Sequence, residues 1–118
     1  MRAAVFRNAG GRVTEDVIRS LHILRAVVSL ELVAIVHHTD CGMSHATDQE
    51  VRAFAKPKTA AAAAVVDKMD FGMWKEEHLD ETVKEDIRKL REETSLGDLE
   101  VLGFVLDTQK GAVREVET

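Results

Sequence analysis

The run Leu32-Val33-Ala34-Ile35-Val36 carries no polar residue and shows no alternation. A half-buried strand alternates with period two. A run apolar at every position reads as a strand covered on both faces, as in a parallel sheet. Parallel pairing needs a long crossover, usually a helix, so this one stretch points to an α/β fold. The rest of the chain agrees. Ala3-Ala4-Val5-Phe6 is a short apolar run ended by Arg7-Asn8-Ala9-Gly10-Gly11, which predicts a strand running into a glycine turn. Thr14 is a good N-cap, with Glu15 and Asp16 where the helix dipole favours carboxylates. Val17, Ile18, Leu21, Leu24, Val27 and Val28 then repeat at helical spacing, predicting an amphipathic helix over 15–28. With 32–38 as the next strand, this is a right-handed βαβ unit.

After Gly42 the pattern turns helical through about Phe54, and Pro57 breaks it. The alanine-rich stretch 59–69 predicts a helix, and 71–74 an irregular, partly buried turn. A further helix is expected over 80–93, with Val83, Ile87 and Leu90 on one face and its charges on a solvated one. Residues 101–107 predict a strand, 108–111 a hairpin turn and 112–116 an antiparallel return. The expected architecture is one α/β domain over 1–118: a mostly parallel sheet, flanking helices and a C-terminal antiparallel hairpin.

The chemistry gathers where the apolar strand ends, in His37-His38-Thr39-Asp40-Cys41-Gly42. Ligands of open α/β sheets bind beyond the carboxyl ends of the strands. His38 and Cys41, three apart, can face one ion, and imidazole with thiolate suits zinc above other metals. A helix start just after Cys41 would favour its thiolate. A lone cysteine is also often just a small buried hydrophobe, and His-x-x-Cys recurs by chance. His45, one helical turn on, reads as an exposed helix residue, and His22 and His78 as surface residues.

Three blocks together resemble the β-class carbonic anhydrases: 7–21 with Arg-Asn-Ala-Gly before a helix, 31–43 with its His-x-x-Cys-Gly, and 101–116 with Gly-Phe-Val-x-Asp and a glycine hairpin. The resemblance implies a zinc lyase interconverting carbon dioxide and bicarbonate. Zinc would lower the pKa of its bound water to about 7, giving a hydroxide that attacks carbon dioxide. It assigns His38 and Cys41 as zinc ligands, and Asn8, Ala9, Gly10 and Gly42 to the neighbourhood of the pocket. His37 falls to packing. It also implies a homodimer or higher homo-oligomer. The family's first cysteine lies upstream, in a Cys-x-Asp-x-Arg motif on an inner strand. Here six residues precede Arg7 and Cys41 is the only cysteine. The expectation is therefore a chain truncated at its N-terminus, missing an inner strand, one zinc ligand and the catalytic Asp/Arg pair, with weak or no activity alone. A non-catalytic structural or interaction module, and a carbon disulfide or carbonyl sulfide hydrolase relative, are the other functions this pattern admits.

Composition limits the partners. Sixteen basic against 21 acidic residues give a net charge of −5, and four Phe with one Trp leave no basic–aromatic stripe, so a nucleic-acid partner is not expected. No apolar run approaches spanning length, and the N-terminus lacks a secretory apolar core, so no membrane is expected. A single cysteine precludes an internal disulfide and fits the cytoplasm.

Overall fold

The computed structural model describes residues 3–55 and 57–118. Helix α1, Glu15–Val28, starts at Thr14, whose side-chain oxygen accepts the Val17 amide. It ends at Ser29 in the left-handed region. Strand β1, Leu32–His38, follows. Then come a 3-10 turn at Gly42–Ser44 and the helices α2, Asp48–Ala55, and α3, Ala60–Lys68. Helix α4, Leu79–Glu92, leads to strand β2, Glu100–Asp107, and strand β3, Ala112–Glu115. The sheet has the order β1-β2-β3. β1 runs parallel to β2 from Leu32↔Glu100 to His38↔Leu106, and β2 pairs antiparallel with β3.

Two expectations are corrected here. Residues 3–6 form no strand; they are exposed coil, with Val5 80 % accessible. Valine and phenylalanine favour a pleated surface only where a neighbouring strand offers one, and among the described residues β1 pairs with β2 alone. The helix expected straight after Gly42 starts at Asp48 instead. Thr47 fixes that start: its hydroxyl oxygen accepts the Glu50 amide at 3.1 Å while the Glu50 carboxylate accepts the Thr47 hydroxyl proton at 3.2 Å, a close relative of the capping box.

The core lies between the sheet and α4. Val83, Ile87 and Leu90 are almost fully buried and meet Val101 and Val105. α4 approaches β2 so closely that a Cβ at Gly103 would overlap Ile87 Cδ1 and lie 2.5 Å from Val83 Cγ1. α1 joins the same layer: the Val13 amide reaches Asp86 Oδ2, and Leu21 enters the core. Thus β1 is not covered on both faces. Ile35 and His37 point into the core, whereas Leu32, Ala34 and Val36 are exposed.

On the outside, both Arg114 nitrogens of the guanidinium fork donate to Asp80, at 2.6 and 2.8 Å. These hydrogen bonds from Arg114 hold the Asp80 carboxyl below its ordinary 3.8. A lowered carboxyl value stabilises the fold above pH 3.8 and ceases to do so as pH falls through the folded value. Asp80→Asn should therefore cost about 0.5–1 kcal/mol at neutral pH, the range of an exposed pair, and almost nothing at pH well below the carboxyl range. Urea unfolding at the two pH values measures this, and the effect should shrink in high salt.

Candidate metal centre

β1 ends at His38 and its carboxyl end is pinned to the hairpin. The Thr39 amide donates to Leu106 O at 3.0 Å, and the Thr108 amide donates to Thr39 Oγ1 at 3.0 Å. His38 Nδ1 lies 2.8 Å from the Thr39 carbonyl oxygen. A carbonyl can only accept, so Nδ1 carries the proton and Nε2 is left with its lone pair. Asp40 takes a left-handed conformation, φ 50°. Its amide donates to Glu76 Oε1 at 3.0 Å, and its own carboxylate lies 2.8 Å from His45 Nε2. Cys41 is a free, buried thiol that precedes the short 3-10 turn and not an α-helix. Its carbonyl accepts both the amide and the hydroxyl of Ser44.

The Asn8-Ala9-Gly10 loop packs beside this turn. Gly10 has φ 79°, and a Cβ there would lie 2.7 Å from Met43 Cγ and 3.0 Å from Trp74 Cζ3. Positive φ and close approach together require glycine. Asn8 closes the loop by donating its side-chain amide to Arg12 O at 2.8 Å, while Ala9 is exposed. Gly42 is exposed and a Cβ there would meet nothing within 4 Å. His45, His22 and His78 are exposed, and among the described residues no three of His, Cys, Asp or Glu gather as a metal site would need.

Beneath the strand end lies a cluster that the sequence pattern did not reveal. His37 is 1 % exposed and stacks on Trp74, ring centroids 5.4 Å apart. Its Nδ1 is 2.8 Å from Thr82 Oγ1, whose proton goes to Leu79 O at 2.7 Å, so Nδ1 must donate. Its Nε2 faces Gly11 O at 3.1 Å and Asp86 Oδ2 at 3.2 Å, both acceptors. Both ring nitrogens therefore face oxygen acceptors, and the ring is held between α4 and the Gly11 carbonyl. Arg12, also buried, lies 3.1 Å from Asp86 Oδ2 through Nε and 3.2 Å from Glu85 Oε1 through Nη2. Its Nε is poorly aligned for a hydrogen bond to that carboxylate, so the contact is chiefly charge on charge. Arg12 and His37 thus converge on Asp86, with Glu85 at the edge of the cluster. The sequence reading gives the Glu and Lys/Arg residues of 80–93 to a solvated face and assigns Asp86 no role; Asp86 is fully buried. The readable signal was its place in the repeat Val83, Asp86, Ile87, Leu90, on the apolar stripe.

No family model matches the chain. It is 34 % identical over 124 residues to β-carbonic anhydrase 1 of Mycobacterium tuberculosis, covering 97 % of this chain and 67 % of that protein. Carbon disulfide hydrolase of Acidithiobacillus thiooxidans is 48 % identical over 52 residues, 43 % of this chain and 26 % of the relative. The crystal structure of a carbonic anhydrase from Streptococcus mutans superposes with a TM-score of 0.80 at 38 % identity, covering 94 % of this chain and 64 % of that one. The chain thus spans about two thirds of the length of the carbonic anhydrases it matches. Identity along nearly its whole length, with the same fold, carries the conclusion: the chain belongs to the β-carbonic anhydrase family.

Proposed function

We propose that this chain carries half of a β-carbonic-anhydrase zinc centre, in a protein acting on carbon dioxide and bicarbonate, and that alone it turns over little or no substrate. The observation behind this is His38: its Nδ1–H is held by the Thr39 carbonyl, and its free Nε2 sits at a strand end, three residues before a buried thiol. That is the tautomer a zinc-binding histidine needs, with the outer nitrogen oriented by a backbone acceptor. When bound, zinc acidifies a water molecule enough for hydration chemistry at neutral pH.

The described residues do not complete such a site. Zinc takes three or four protein ligands, and His38 with Cys41 makes two. Asn8, Ala9, Gly10 and Gly42 are proposed to border the substrate pocket, with Gly10 and Met43 shaping its floor. The protein is proposed to work in the cytoplasm as a homodimer or larger homo-oligomer; its one cysteine, unpaired, suits a reducing compartment. The local match to carbon disulfide hydrolase supports a second reading, in which the substrate is carbon disulfide or carbonyl sulfide.

Stopped-flow assay of zinc-loaded chain should show carbon dioxide hydration no faster than buffer, and carbon disulfide turnover equally absent. Zinc analysis after dialysis should give well under one ion per chain, with the remainder lost in both His38→Ala and Cys41→Ala. Turnover at a rate typical of an efficient enzyme, or zinc uptake indifferent to Cys41→Ala, would overturn the proposal.

A further inference from the structure

The peptide unit between Thr39 and Asp40 is held from both sides. Its carbonyl, Thr39 O, accepts the Nδ1 proton of His38 at 2.8 Å and lies 3.3 Å from the Thr108 hydroxyl. Its amide, Asp40 N, donates to Glu76 Oε1 at 3.0 Å. The two holding residues come from segments far apart in the chain. Thr108 follows Asp107 at the end of β2, and Glu76 opens the 3-10 turn Glu76–His78 that leads into α4.

The hydroxyl protons on the carbonyl side can be followed atom by atom. Thr39 Oγ1 and Thr108 Oγ1 are 3.0 Å apart, so one donates to the other. A carbonyl only accepts, so Thr108 gives its proton to Thr39 O, and Thr39 Oγ1 donates to Thr108 Oγ1. Thr39 Oγ1 in turn accepts the Thr108 amide at 3.0 Å. Every donor has an acceptor, and the chain of hydroxyls ends on the same oxygen that orients His38. Hydrogen bonds linked in this way polarise and strengthen one another. The turn that presents Thr108 is itself fixed. Asp107 Oδ1 accepts the amides of Gln109 and Lys110, and the Gly111 amide reaches Asp107 O at 2.8 Å.

The backbone beside this peptide is strained in a way that needs such holding. Asp40 stands at φ 50°, a left-handed conformation unfavourable to any residue with a Cβ. Turning the 39–40 peptide over would return Asp40 to negative φ and relieve it. The same turn would swing Thr39 O away from the His38 ring and deprive Nδ1 of its acceptor. The imidazole proton could then sit on Nε2, and the outer lone pair would be lost. A strained conformation of this kind persists only where its surroundings over-determine it. We propose that Thr108 and Glu76 are positioning residues for His38. Thr108 holds the carbonyl and Glu76 the amide of the Thr39–Asp40 peptide. Together they keep that peptide from turning over, and so keep His38 in the tautomer whose Nε2 can take a metal ion.

The inference rests on His38 as a zinc ligand, so its first readout is one that needs no metal. Nitrogen-15 NMR of the His38 ring, in the full metal-free chain at alkaline pH, reads which nitrogen carries the proton. The unaltered chain should show Nδ1–H. Thr108→Val, which removes the hydroxyl and keeps the amide, should bring in a comparable share of the Nε2–H form. Glu76→Ala should do the same. Thr108→Ser and Glu76→Gln keep an oxygen in place and should retain Nδ1–H. Both positions are exposed, so circular dichroism and melting temperature should match the unaltered chain in all four. Zinc affinity, measured by titration, should fall about tenfold in Thr108→Val and Glu76→Ala, the low end for outer partners of a metal ligand. It should hold in Thr108→Ser and Glu76→Gln. A ring that keeps Nδ1–H in both Thr108→Val and Glu76→Ala overturns the inference. So does a changed tautomer with zinc affinity unaltered. If the unaltered chain takes up no zinc that depends on His38, the zinc proposal fails by itself, and the tautomers alone decide whether Thr108 and Glu76 position the ring.

Discussion

Asp86→Ala should destabilise the fold by about 3–5 kcal/mol, the cost of removing one partner from a buried ion pair. Asp86 is completely buried, and its Oδ2 faces the Arg12 guanidinium, the His37 ring and the Val13 amide. The loss leaves the buried Arg12 guanidinium with only the half-exposed Glu85 to balance it, and strips the His37 Nε2 and the Val13 amide of an acceptor. It also releases the ties joining α1, α4 and the end of β1. Asp86→Asn keeps the shape and removes the charge, so it should retain most of the loss. Urea unfolding followed by circular dichroism measures both. Screening reaches buried pairs poorly, so added salt should not restore the stability. A cost under about 1 kcal/mol would mean that the cluster is hydrated and its charges are not paired as described.

Gly103→Val should cost about 3 kcal/mol, the upper part of the range for overpacking a core. The reason is the close seat of α4 on β2: a Cβ would overlap Ile87 Cδ1 and lie 2.5 Å from Val83 Cγ1, both nearly fully buried. The clash can be assigned by a cycle with the smaller Gly103→Ala. Ile87→Val alone should cost about 0.5–1.5 kcal/mol. In the Gly103→Ala background it removes the overlapping methyl, so the pair should cost at least about 1 kcal/mol less than the two singles together. Strict additivity of the two changes would show that α4 shifts as a body and that Ile87 is not the obstacle.

These two positions show how differently fold and site could be read. Gly103 reads in sequence as part of the family-like strand motif, and nothing local says a helix presses on it. Asp86 reads as one charge among many in a charged helix; only His37 and Arg12, brought from distant segments, explain its burial. The elements themselves were more legible. Thr14 and the repeat from Val17 to Val28 placed α1 to the residue, and the repeat Val83, Ile87, Leu90 found the inner face of α4. Asp107, Gly111 and the intervening turn announced the hairpin: Asp107 Oδ1 accepts the amides of Gln109 and Lys110, and Gly111 has φ 68°. The strand reading of residues 3–6 failed because a strand exists only with its neighbour, and that neighbour is non-local. Sequence spacing brought His38 and Cys41 to one strand end, but the tautomer of His38 came from a hydrogen bond that spacing does not show.

By itself the sequence determined the α/β class, most helix and strand positions, and the family. These depend on local propensity, capping and periodicity, which act over a few residues. The tertiary structure decided which face of the sheet is covered, which charges are buried, and which side chains meet beneath β1. Those outcomes depend on contacts between segments far apart in the chain, whose free energy is gained only once the layers have packed. That is why an apolar run that promised two covered faces is covered on one and exposed on the other.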